Sequence, residues 1–93
     1  MDDFLAQLQL GLAKLSFSHQ DFKEAEKRFQ QIVDHYPETD AAPEALYWAG
    51  VSRYKATNDA GALERTGEAF RSRYTDTTWA KKASVWTPAK SGR

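Results

Sequence analysis

The sequence predicts an all-α domain, a right-handed stack of two helix pairs closed by a short fifth helix. Apolar residues recur at helical spacings through most of the chain, and helix start and stop residues fall between those runs. The two halves also align. Ala13 and Phe17 fall on Gly50 and Tyr54 at an offset of 37, and Tyr36, Ala42 and Ala45 fall on Tyr74, Ala80 and Ala83 at 38. Paired helices repeating at a period in the thirties mean an array, because one pair alone cannot bury its faces.

The first helix opens at Asp2 or Asp3, either of which can cap it, and carries Phe4, Leu5, Leu8, Leu12 and Leu15 as an apolar stripe ending near Phe17. Ser18-His19-Gln20 breaks the pattern. Asp21 with Glu24 reads as a capping box for the second helix, in which each side chain accepts a backbone N–H left free in the first turn. Phe22, Ala25, Phe29, Ile32 and Val33 form its inner face, and Glu24 and Arg28 stand in the favourable i, i+4 order. The helix ends at Tyr36, since Pro37 disfavours helical geometry in the residue before it.

Asp40 is positioned to cap the third helix, and Pro43 falls in its first turn, where a missing N–H costs nothing. This helix, 43–57, is the centre of the chain. Leu46, Gly50 and Tyr54 form one stripe and Tyr47 with Val51 a second, which implies neighbours on two sides. Gly50 costs about 1 kcal/mol relative to Ala in a helix interior, so it marks a close approach of another helix. The fourth helix is expected from about Ala60 to Tyr74, with Leu63, Gly67, Phe70 and Tyr74 inward. A Thr cap in the loop 75–78 then starts a short helix, Trp79 to about Trp86, carrying Ala80 and Ala83. One domain, 1–87, results, with repeats at about 4–37 and 41–75, a capping helix at about 78–86 and a flexible tail, 88–93.

Composition narrows the function. Lys plus Arg and Asp plus Glu number 13 each, so no net positive charge favours a nucleic acid or an anionic membrane. No apolar run is long enough to span a bilayer, and the start of the chain, acidic, lacks the basic region and small-residue cleavage site of a secretory signal. With no cysteine, thiol nucleophiles, disulfides and thiolate metal sites are excluded within these 93 residues. His19 and His35 have no metal-ligand spacing, and no phosphate-binding or nucleophile motif occurs. No catalytic, metal or cofactor-binding residue is expected, and the chain is read as not an enzyme.

The first repeat resembles the tetratricopeptide (TPR) pattern. Leu12-Ala13 stands for its Leu-Gly pair, Phe22 for the aromatic opening the second helix, Ala25 for its small residue, Phe29 for the buried aromatic and Pro37 for the closing proline. The second repeat departs, with Gly67 for the buried aromatic and Thr75 for the proline, and Phe17 and Tyr54 sit one place later than usual. The stretches DDFLAQLQLGLAKLSF, YPETDAAPEALYWAGVSRYKATND and WAKKASVW also resemble the C-terminal part of bacterial thioredoxin-fold proteins carrying a TPR pair. A looser resemblance extends to TPR proteins of the bacterial cell envelope. This chain has no Cys-x-x-Cys, so no redox residue carries over.

What the resemblance implies is a concave groove lined by the first helix of each repeat. Lys14, Ser18, Tyr47, Trp48, Val51, Tyr54 and Lys55 are the candidate protein-binding residues on that groove. Tyr and Trp offer large contact area with a polar handle, yet core packing is the stronger claim on this group. If Tyr47 lines the groove, its truncation leaves thermal stability nearly unchanged. A carboxylate-clamp mode is not expected, since Leu10, Lys14 and Trp48 occupy the positions that would need Lys, Asn and Arg. Trp79 and Trp86 either pack on helix four or leave an apolar edge that pairs with a second copy. The expected function is a non-catalytic protein-interaction module, an appendage of a thioredoxin-like bacterial protein with a protein or peptide partner. The expected compartment is the cytoplasm, or the periplasm if an export signal lies outside this chain. The alternative is a structural self-association unit forming a homodimer.

Overall fold

The computed structural model describes residues 1–86, so the expected tail lies outside the described residues. The elements are α1 (Asp2–Ser18), α2 (Phe22–His35), α3 (Ala41–Thr57), α4 (Gly61–Ser72) and α5 (Thr78–Ala83), the last running into a 3₁₀ turn, Ser84–Trp86. No strand occurs among the described residues. The all-α expectation holds.

Helix ends are set by backbone geometry more than by the expected caps. Met1 is the N-cap of α1, so Asp2 and Asp3 lie inside its first turn and interact with the helix dipole instead of capping it. The Asp21 capping box does not form, and Asp40 makes no side-chain cap bond. Asp40 is itself in helical backbone geometry (φ −66°, ψ −22°), whereas a capping side chain reaches back only from an extended residue. The Thr cap survives: Thr77 is extended and its Oγ1 accepts the Ala80 N–H at 3.1 Å. Asn58 takes the left-handed conformation after α3 (φ 62°) and its N–H bonds Tyr54 O. The i, i+4 pair Glu24–Arg28 is present at 3.0 Å.

The core runs along the middle of the stack. Ala6, Leu10 and Ala13 of α1 meet Ala25, Phe29, Ile32 and Val33 of α2, Ala41, Ala45, Leu46 and Ala49 of α3, Phe70 of α4 and Ala83 of α5 in one buried cluster. This corrects the expected inner face of α1. Phe4, Leu8, Leu12 and Leu15 are exposed, Leu12 by 43 %, so Leu12 does not hold the helices together. Ala6 and Ala13 face inward on either side of Leu10, and their small side chains let α2 and α3 both pack on α1.

Gly50 behaves as its position predicts. A Cβ built on it would lie 2.7 Å from Thr66 Cβ, an overlap that fixes α3 and α4 in contact at this level. Ala62, Thr66 and Phe70 of α4 are buried at a constant offset of 37 from Ala25, Phe29 and Val33 of α2. Gly67, expected inward at the position of Phe29, is buried as well, beside Thr66. Leu63 and Tyr74, expected inward, are half-buried, and α4 ends at Ser72 with Tyr74 beyond it at φ 59°. The Tyr74 hydroxyl donates to Pro37 O at 2.5 Å and so ties the end of the second pair to the junction after the first.

Candidate functional site

Tyr47 and Trp48 are adjacent on α3 and so project about 100° apart around the helix axis. That divergence sends them to different neighbours. Trp48 meets α1 edge-on at Phe17, with ring centroids 5.2 Å apart, and Phe17 in turn meets Phe22 of α2 at 5.1 Å. Tyr47 turns to the C-terminal end, stacked on Trp86 at 4.7 Å and tilted against Trp79 at 5.1 Å. Tyr47 and Trp48 touch each other at 5.3 Å. Six half-buried rings therefore run as one row, Phe22–Phe17–Trp48–Tyr47 and on to Trp79 and Trp86, from α2 and α1 across α3 to α5 and the 3₁₀ turn. Both rings at the centre of the sequence find their neighbours within the chain.

Glu44 organises the polar rim of this face. Its Oε2 lies 2.6 Å from Lys14 Nζ of α1 and accepts the Trp48 Nε1–H at 3.3 Å. Glu44 thereby ties α1 to α3 and holds the indole from the helical turn before it. Lys14, Phe17, Phe29 and Trp48 line a depression of about 310 Å³ between α1, α2 and α3. Its walls are two aromatic rings and the edge of a buried third, with one ammonium at the mouth. The face can receive an apolar side chain; among the described residues no group of three or more His, Cys, Asp or Glu comes together there or elsewhere as a metal site.

Of the seven candidate residues, Lys14 and Trp48 come together at the depression. Lys55 is further along α3, its ammonium 5.7 Å above the Phe22 ring. Val51 and Tyr54 are half-buried on α3, and the exposed Ser18 spends its hydroxyl on Leu15 O of its own helix at 2.9 Å. Tyr47 is half-buried among the rings of Trp48, Trp79 and Trp86. Phe17, Glu44, Phe29, Trp79 and Trp86 belong to the face but were not among the candidates. Phe17 was signalled by its alignment with Tyr54. Trp79 and Trp86 are brought to Tyr47 by the turn after α4, which no spacing in the sequence discloses. The helix that carries these two tryptophans packs on α4, and both rings are half-buried against Tyr47.

Paired helices joined by three-residue turns, with an aromatic face running across the stack, define a helical-repeat architecture. Residues 5–39 match the family model described as tetratricopeptide repeat. The match covers α1, α2 and the start of the junction to α3. With the all-α stack it supports a TPR-type protein. No curated protein and no solved structure matches the chain. No helix among the described residues is long and apolar enough to cross a membrane.

Proposed function

We propose that this chain is a non-catalytic protein-interaction module that seats an apolar side chain of a partner segment in the depression between α1 and α3. The observation that carries this reading is the pairing of Phe17 and Trp48 around an open hollow, with Lys14 held at its mouth by Glu44. Half-buried aromatic rings that are already packed lose little side-chain freedom on binding, which favours affinity. Ser18, Val51, Tyr54 and Lys55 extend the seat along the same helices. In this reading the module is an appendage of a thioredoxin-like bacterial protein and works in the cytoplasm. Support for that setting is the resemblance carried by the stretches around 2–17, 36–59 and 79–86.

Selection of peptides from a random library on the immobilised chain tests the seat. Enriched peptides should carry a recurrent large apolar residue, and their amide shift changes should map to Lys14, Trp48 and Val51. Val51→Glu should weaken capture at least tenfold while the helical signal stays. Peptides whose shift changes map elsewhere, or whose capture is indifferent to Val51→Glu, would overturn the seat.

A further inference from the structure

The outer face of α1 is apolar in a way the groove does not explain. Phe4, Leu8, Leu12 and Leu15 are between 43 % and 67 % exposed and form one stripe on the side opposite the buried Ala6, Leu10 and Ala13. At the 37-residue offset, these four fall on Ala41, Ala45, Ala49 and Ser52 of α3, all buried. That arc of α3 is bracketed by Arg53, ion-paired with Glu26 of α2, and by Lys55, seated over Phe22 of α2. The equivalent arc of α1 is therefore the one on which this stack places a neighbouring helix. Among the described residues α1 packs on α2 and α3, and neither covers this arc.

A second observation lies within the stripe. Gly11 is in the interior of α1, is exposed, and a Cβ built on it would meet nothing within 4 Å. Unlike Gly50, it relieves no contact inside the chain. It leaves a notch between Leu8, Leu12 and Leu15.

We propose that this face pairs with the same face of a second copy, α1 against α1 in antiparallel order about a two-fold axis. The stripe is self-complementary in that order. Phe4 falls opposite Leu15 of the other copy, and Leu8 falls opposite Gly11, whose notch receives it. The dyad repeats both contacts, as an isologous interface requires. Met1, Phe4, Leu8, Leu12 and Leu15 together offer roughly 600 Å² of apolar surface per copy. Two copies would bury on the order of 1,200 Å² in total, the lower end of specific interfaces. The pair is accordingly a reversible dimer. The groove is on a different arc of the stack, so the two surfaces act independently.

Sedimentation across concentration tests the proposal on the whole chain. The wild type passes from monomer to dimer as concentration rises, and Leu8→Glu or Leu12→Glu shifts the midpoint at least tenfold upward with the helical signal unchanged. Gly11→Leu weakens the dimer similarly by filling the notch. Because the chain has no cysteine, single cysteines report orientation. Phe4→Cys should cross-link to Leu15→Cys of a second copy and not to itself, since antiparallel order separates the two copies of position 4 by roughly 16 Å. A monomer at every concentration overturns the proposal and leaves the stripe to another occupant. A dimer indifferent to Leu8→Glu, or cross-linking of Phe4→Cys to itself, overturns it as well.

Discussion

Replacing Gly50 by Ala is a direct test of how closely α3 and α4 approach. In a helix exposed to solvent this change stabilises by about 1 kcal/mol, because Ala is the better helix former. Here the added methyl would sit 2.7 Å from Thr66 Cβ and 2.8 Å from Thr66 Cγ2. Thr66 cannot swing away freely, since it is buried and its hydroxyl donates to Ala62 O at 2.8 Å. The two helices must separate, and overpacking of this kind costs about 1–3 kcal/mol. With an overlap this severe the upper part of that range applies, and set against the gain in propensity Gly50→Ala should destabilise by about 1–2 kcal/mol, a fall in Tm of roughly 4–16 °C for a domain of this size. Thermal and urea unfolding followed by circular dichroism at low protein concentration give the value. Gly11→Ala is the internal control: its methyl enters open space, so it should raise monomer stability by about 0.5–1 kcal/mol. Thr66→Gly moves the missing side chain to the other helix. The double variant should therefore be more stable than Gly50→Ala alone, with a favourable coupling of about 1–2 kcal/mol. A Gly50→Ala variant as stable as wild type would refute the close approach.

Two further outcomes are expected. Gln20 holds a left-handed backbone (φ 64°) between α1 and α2, which costs a side-chain-bearing residue about 1 kcal/mol, so Gln20→Gly should stabilise by roughly half that amount in equilibrium unfolding. The Asp59 carboxylate accepts the Gly61 N–H at 2.9 Å and pairs with Arg65 at 3.2 Å, and these bonds, the backbone one first, lower its pKa below the usual carboxylate value. A depressed folded pKa adds stability that is present above the unfolded value and lost as pH falls through the folded one. Acid titration of stability should therefore show a component, below the normal Asp range, that is missing from Asp59→Asn.

Much of the fold was legible because the strongest signals were local. Pro37 ended α2, Thr77 capped α5, and Gly50 announced a close helix before any neighbour was known. What stayed hidden was the choice between two apolar faces. Helix α1 carries Leu8, Leu12 and Leu15 on one side and Ala6, Leu10 and Ala13 on the other, so periodicity alone supports either inward face. The two alanines decided it: Ala6 and Ala13 let α2 and α3 close on α1 around Leu10, and the face made of large residues alone was left outside. The Asp21 and Asp40 caps were plausible by residue type, but capping depends on backbone angles that residue type does not determine. At the candidate site, Lys14 and Trp48 could be placed by repeat position. The aromatic contacts of Tyr47 depended on the path of the chain after α4, where the second repeat has lost its closing proline.

The placement of the tryptophans has a practical consequence. All three residues of this type in the chain, Trp48, Trp79 and Trp86, belong to a single connected set of rings around Tyr47. Intrinsic emission from this protein is therefore a local reading of the face where α1, α3 and α5 meet, and nearly silent about the outer side of α1. An event in the hollow beside Phe17 and an event along Leu8 and Leu12 would change light output in one case and sedimentation in the other. The molecule comes with an optical label already installed on one of its two surfaces.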